Sequence, residues 1–373
     1  MDVPAKGKKP AKKAARRRSV NLALQGGGAH GAYTWGVLDK LLEDGRLDID
    51  GLSGTSAGSL NAVILAHGQM TGGTDGAREA LENFWRRIAE AGSIYGPVKR
   101  LPWETWFAGW NMDENLFFNM FDSMTRMVSP YQFNPFDVNP LRDILSDTVD
   151  FEALAYCEVV KLFLSATNVR TGKVKVFHTK DVTLDVVMAS ACLPMLFKAV
   201  EIDGDHFWDG GYMGNPALFP FFYHTDTRDV LIVHINPIER EDVPKRPSDI
   251  HNRINEITFN SSLIKELRAI SFVQKLLNEG WLRDEFKHRL KNVLVHSIRA
   301  DRALADLSVA SKFNTDWDFL RNLRDRGRET AAHWLKGHFD CVGRRSTVDL
   351  RREFLGFLNE TPDLETPINE NKC

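Results

Sequence analysis

The chain has 373 residues, 43% of them hydrophobic and 26% charged, which is enough apolar material to fill one large α/β unit and excludes a wholly disordered protein. Its net charge is only −2, and nucleic acid is not expected among its partners. The four cysteines lack both metal-ligand and disulfide-framework spacing, so the thiols read as reduced.

The first eighteen residues carry eight basic side chains against Asp2 alone. Such a Lys-, Ala- and Pro-rich run cannot bury apolar surface and reads as a disordered basic tail, 1–18, whose charge suits an anionic membrane surface. No apolar segment of signal-peptide length follows it before Gln25. The expected location is therefore the cytoplasm, peripheral on a membrane or on a lipid or polyester granule.

Residues 19–24 read as a first strand that stops at Gly26-Gly27-Gly28-Ala29-His30-Gly31 and gives way to a helix through 42. Open α/β sheets place their sites at the carboxyl ends of strands, where successive glycines can turn backbone amides toward an oxyanion. Gly26, Gly27 and Gly28 are read as that loop. The same residues fit the Gly-Xaa-Gly-Xaa-Xaa-Gly dinucleotide fingerprint, with Asp50 as the ribose-binding acid of a nucleotide-dependent oxidoreductase. Asp50, however, opens the run into the next motif instead of closing a clear second strand.

That next motif, Gly54-Thr55-Ser56-Ala57-Gly58, is a nucleophile elbow: a strand, a sharp turn at the serine, and a helix, with Gly54 and Gly58 letting the two approach closely. Ser56 is the candidate nucleophile, and the Ala57 amide, at the start of the helix, is a further oxyanion donor. Residues 51–74 lack Asp, Glu, Lys and Arg and are long enough to cross a bilayer, but their glycines and hydroxyls favour a buried strand, turn and helix.

The helix after the elbow is expected to end at a Gly68 cap, with a loop over 71–76 and an amphipathic helix over 77–90. Within a helical insertion over 77–150, Trp103, Trp106, Phe107, Trp110, Phe117, Phe118, Met120, Phe121, Met124 and Met127 crowd together. That clustering suits a lid or membrane-facing rim, or ordinary packing of an inserted subdomain. A hairpin is expected over 161–177, a helix from 184, and a strand pair at 197–202 and 206–208 that delivers Asp209-Gly210-Gly211. Strands at 229–235 and 292–298, helices at 250–279 and 313–336, and a mobile tail at 361–373 complete the chain.

A serine needs a base. His234 and His296 lie inside apolar strand patterns and read as core residues, while His333 and His338 sit near a helix end. Asp209 leaves a strand, and Gly210 and Gly211 let its backbone fold tightly, so its carboxylate can approach another loop and act as the base if burial raises its pKa. Gly26 to Gly31, Gly54 to Gly58 and Asp209 to Gly211 resemble, in order and spacing, the three blocks of patatin-like phospholipases. Ser190-Ala191-Cys192-Leu193-Pro194 adds to the resemblance, which covers about 20–235. The resemblance implies a three-layer α/β/α fold with a mostly parallel sheet, and a Ser56–Asp209 dyad that hydrolyses lipid acyl esters without metal or cofactor. The matching domain would span 19–300, with 301–360 as a C-terminal helical extension. His30 stands where the family's loop often carries Lys or Arg. The expected substrate is a phospholipid, lysophospholipid or other acyl ester; a storage polyester or thioester, or lipid and granule binding without turnover, are the alternatives.

Overall fold

The computed structural model describes residues 17–95, 110–113, 115, 120, 123–125, 127–240, 243–287 and 289–354. In chain order its main elements are β1 Arg18–Leu24, α1 Gly31–Asp44, β2 Leu47–Gly54, α2 Ala57–Tyr95, α3 Pro140–Thr148, β3 Lys161–Asn168, β4 Val174–His178, α4 Leu184–Ser190, β5 Val200–Ile202, β6 Asp205–Asp209, α5 Phe219–His224, β7 Asp229–His234, α6 Pro247–Asn278, β8 Leu294–Arg299 and α7 Trp317–His338. The strands form one sheet in the order β5-β6-β3-β2-β1-β7-β8, with β4 also paired to β3. The β3-β2-β1-β7-β8 portion is parallel, and β4, β5 and β6 are antiparallel.

Side-chain alternation along the strands builds two cores. Val20, Leu22 and Leu24 of β1 and Leu231 and Val233 of β7 face one; Ala23, Val230 and Ile232 face the other. A strand covered on both faces is largely apolar on both, as at Leu22–Leu24 of β1 and Val230–Val233 of β7, while the buried Asn21 of β1 is held by hydrogen bonds to Thr225 and Thr227. The first core takes Tyr33 and Trp35 of α1, Leu65 and Phe84 of α2 and Phe319 of α7. The second takes Phe221 of α5 and Leu263, Leu267 and Ile270 of α6. Helices thus flank a central sheet on both sides.

Two expectations need correction, the Gly68 cap and the reduced state of all four cysteines. Gly68 does not cap α2, which stays helical to a break at Gly72 and Gly73, the only positions within it with non-helical φ/ψ. A Cβ on Gly68 would meet Ala77 Cα at 2.7 Å, so glycine is needed there because the segment beyond the break folds back against it. That returning segment buries Leu81, Phe84 and Trp85 in the first core. The C-terminal helix α7 is likewise central: a Cβ on Gly36 would lie 1.9 Å from Arg324 O and one on Gly327 2.1 Å from Tyr33 O, so the α1 and α7 backbones touch. Cys157 and Cys192 are free, whereas Cys341 is disulfide-bonded; sequence spacing does not report which cysteines meet in space.

Of the aromatic and methionine cluster, Trp103, Trp106, Phe107, Phe117, Phe118 and Phe121 lie outside the described residues. Trp110 packs on Phe319 with ring centroids 5.4 Å apart, while Met120 and Met127 are exposed. No helix among the described residues is long and apolar enough to cross a membrane.

Candidate active site

The pairing along β3 brings the elbow and Asp209 together. β2 pairs with the first half of β3 and ends with Gly54 opposite Leu164. β6 pairs with the last part of β3, in the opposite direction, and ends with Asp209 opposite Ala166. Because β4 pairs with β3 over Phe163 to Thr167, overlapping both, β2 and β6 must share the other edge. Two strands therefore stop head-on beside Ser165, and each delivers its motif into the gap between them.

At the end of β2 the chain turns through Ser56, whose φ of 55° lies in the left-handed region. For a side chain other than glycine that conformation is strained and must be held by its surroundings. Ser190, at the end of α4, supplies part of the hold. Its carbonyl and Oγ each accept from Ser56 N at 3.2 Å, its Oγ pairs with Ser59 Oγ at 2.7 Å, and the same hydroxyl reaches Ser165 O at 2.7 Å. Both flanking glycines are sterically required: a Cβ on Gly54 would lie 2.6 Å from Gly58 O, and one on Gly58 2.1 Å from Leu24 O.

Asp209 is fully buried. Its N–H donates to Cys192 O (2.8 Å), its carbonyl accepts from Thr167 Oγ1 (2.9 Å), and Oδ1 accepts from Gly211 N (2.7 Å). The Gly210 position, 2.1 Å from Ser165 O, admits no Cβ, so this turn too depends on glycine. Burial pushes the carboxyl up to about 6, partly opposed by the Gly211 amide and by the Ser56 hydroxyl that faces it. Oδ2 has no formed hydrogen bond among the described residues, so the Ser56 contact is looser than a closed hydrogen bond and one lone-pair-bearing oxygen stays uncommitted. A carboxylate in that state can accept a proton.

The glycine loop lies against the elbow. A Cβ on Gly26 would come 2.6 Å from Ser56 Cβ, and one on Gly31 2.6 Å from Ala57 Cβ. Gly26 N donates to Asn215 Oδ1 at 2.7 Å, so the Gly26 amide is taken and leaves the set of expected oxyanion donors. The amides of Gly27, Gly28 and Ala57 make no hydrogen bond among the described residues and are the remaining candidates. His30 is buried against Ser311, its Nε2 2.7 Å from Ser311 Oγ; burial, then Lys312, holds its pKa well below the usual value and keeps the ring neutral.

Sequence reasoning missed the polar scaffold behind this loop. Gln25 Oε1 accepts from Ile235 N (2.9 Å) and Asn236 N (3.0 Å), and its Nε2 donates to Asn215 O (3.3 Å) and Asn260 Oδ1 (3.1 Å). Four buried amide side chains, from Gln25, Asn215, Asn236 and Asn260, thus lock the ends of β1 and β7 to the middle of α6. The only sequence signal was their polarity beside otherwise apolar runs, which buried residues do not keep unless paired.

The histidines are engaged elsewhere. His296 Nε2 pairs with Asp229 at 2.9 Å, and His234 is buried, stacked on Phe354 at 5.5 Å and pushed down to about 3 by burial. Asp50 binds Lys161 Nζ (3.0 Å) and accepts from Asp226 N (2.7 Å) and Thr227 N (3.1 Å), contacts that hold loops together and leave it no ribose to bind. No group of three or more His, Cys, Asp or Glu among the described residues could hold a metal ion.

The profile of the family described as Patatin-like phospholipase matches residues 22–222. The chain is similar to lysophospholipase nte1 of Aspergillus oryzae, 29% identical over 203 residues, and to that of Aspergillus niger, 28% identical over 203 residues. Each match covers 53% of this chain, but it spans only about a tenth of those relatives' length, 10% and 11%. Among solved structures, VipD from Legionella pneumophila aligns over 94% of this chain and 78% of its own, with 14% identity and a TM-score of 0.36.

Proposed function

Because the chain belongs to the patatin-like phospholipase family, we propose that it is a hydrolase of lipid acyl esters working through a Ser56–Asp209 dyad. The observation that carries the reading is the buried Asp209 carboxylate, raised to about 6, with one oxygen uncommitted and the Ser56 hydroxyl before it. Ser56 attacks the ester carbonyl as Asp209 takes its proton. The tetrahedral oxyanion sits against the Gly27, Gly28 and Ala57 amides, where the first turn of α2 adds its dipole. Collapse expels the alcohol, which takes the proton from Asp209; water, activated by the same carboxylate, then releases the fatty acid and frees Ser56.

The matched relatives are lysophospholipases, which favours glycerophospholipids with one or two acyl chains as the substrate class. The exposed Met195 and Met213, which follow the Ser190 and Asp209 motifs, offer an apolar rim of the kind acyl chains cross. The test is fatty-acid release from phospholipid, lysophospholipid and a short-chain ester by wild type, Ser56→Ala and Asp209→Asn, with folding checked by circular dichroism. Both substitutions are expected to lower kcat by roughly three orders of magnitude or more. Full activity in folded Ser56→Ala would overturn the assignment.

A further inference from the structure

The glycine loop carries no charge of its own, since the His30 ring is buried and neutral. A cation nevertheless reaches the loop from another part of the chain. Lys312 follows Ser311, the hydrogen-bond partner of His30, on the single-turn segment Val309–Phe313. Its backbone seats Gly28: a Cβ on that glycine, which has φ +58°, would lie 2.6 Å from Lys312 O. Its Nζ donates to Asn236 Oδ1 at 2.7 Å, and Asn236 Nδ2 donates in turn to Gly26 O at 2.7 Å. The ammonium is thus one amide side chain away from the backbone of the loop.

Among the described residues this charge is not neutralised by direct contact. Lys312 forms no ion pair among the described residues, and the carboxylate whose charge acts on it, Glu256, is held by Arg240 at 2.6 Å and Arg253 at 3.0 Å. An ammonium on a part-buried side chain that donates to a neutral amide costs desolvation that a purely structural contact would not require, because a neutral donor could make the same hydrogen bond.

We propose that Lys312 is a positioning residue of the oxyanion loop: through Asn236 it fixes Gly26 to Gly28, and its positive charge favours the oxyanion formed beside the Gly27 and Gly28 amides. This rests on the reading of those amides as oxyanion donors. Burial lowers the Lys312 pKa to about 8, with Glu256 opposing and Arg240 adding to the shift. The other charged groups around the segment, Arg253 on α6 and Arg326 on α7, are guanidinium ions that do not titrate in this range, and His30 is already neutral. Lys312 should therefore lose its proton within the working range, and the rate should fall as it does.

The experiment compares kcat and KM from pH 5 to 10 for wild type, Lys312→Gln, Lys312→Arg and Ser56→Ala on a soluble short-chain ester, with thermal melts to establish folding. Lys312→Gln keeps a hydrogen-bond donor but no charge. It is expected to lower kcat roughly tenfold at pH 7 with KM little changed, and to remove the fall in rate near pH 8. Lys312→Arg should retain more of the rate and show no fall near pH 8, because a guanidinium stays protonated; this variant carries the test if Lys312→Gln does not fold. A wild-type-like kcat and alkaline limb in either folded variant would overturn the role of Lys312. Undiminished activity in Ser56→Ala would instead overturn the dyad itself, and the proposal with it.

Discussion

Gly54 and Asp209 end two opposed strands on one edge of β3, with only Ser165 between their partners, Leu164 and Ala166. This is a consequence of sheet topology. An edge that is parallel to β2 over its first half and antiparallel to β6 over its last leaves a gap in the ladder, and unpaired backbone in a gap must be satisfied by something else. Ser190 fills much of that need, tying Ser56 N to Ser165 O through one hydroxyl. The gap also leaves room for two side chains, and Ser56 and Asp209 take it.

A base held near pH 6 sets the acid side of the rate profile. The proposed mechanism needs Asp209 deprotonated, and its carboxyl is raised from 3.8 to about 6 by burial. The expected outcome is a kcat/KM that falls about tenfold per pH unit below about pH 6. His234, pushed down to about 3, cannot produce that limb, so His234→Phe should leave it in place. Stopped assays on a soluble ester from pH 4 to 8 would decide; a limb near 4 would mean that Asp209 titrates as an exposed aspartate.

Glycines that serve the site should separate from glycines that serve the fold. A methyl on Gly26 is directed at Ser56 Cβ, 2.6 Å away, whereas one on Gly36 meets the Arg324 backbone at 1.9 Å, in the α1–α7 contact. Gly26→Ala is expected to lower the kcat of the folded fraction by at least about a hundredfold, in addition to a loss of stability from the 2.8 Å approach to Thr55 O. Gly36→Ala should destabilise by about 3 kcal/mol while the folded fraction keeps the wild-type kcat. Melting curves paired with active-site titration test both; an inactive but fully stable Gly36→Ala would contradict the division.

Local chemistry written into consecutive residues was legible in the sequence: β1 from its alternation followed by the apolar Leu22–Leu24, the elbow from Gly54 and Gly58, and the turn after Asp209 from Gly210 and Gly211. Contacts that depend on distant parts of the chain were not. Gly68 looks like a helix cap until the break at Gly72 and Gly73 returns the helix against it. Gly26 looks like an oxyanion donor until Asn215, far along the chain, takes its amide. Lys312 carries no motif at all, because a single lysine on a short turn acquires meaning only from what it is folded against.

Burying the proposed base should cost stability, and the cost has a defined pH dependence. A carboxyl raised from 3.8 to about 6 holds its proton more tightly in the folded than in the unfolded state. Its destabilising effect is therefore full above about pH 6 and vanishes as pH falls toward 3.8. The shift corresponds to about 3 kcal/mol at neutral pH. Asp209→Asn removes the charge but keeps an oxygen for Gly211 N, so the variant should be more stable than wild type by about 1–3 kcal/mol at pH 8 and nearly equal to it at pH 4. Glu266, raised to about 7 mainly by burial, has the same sign of effect, but it is present in both proteins and cancels in the difference. Urea unfolding of the pair at pH 4, 6 and 8 measures that difference directly. A gap that does not change with pH would show that Asp209 is not held away from its charged state, and would remove the physical basis for its acting as a base near pH 6.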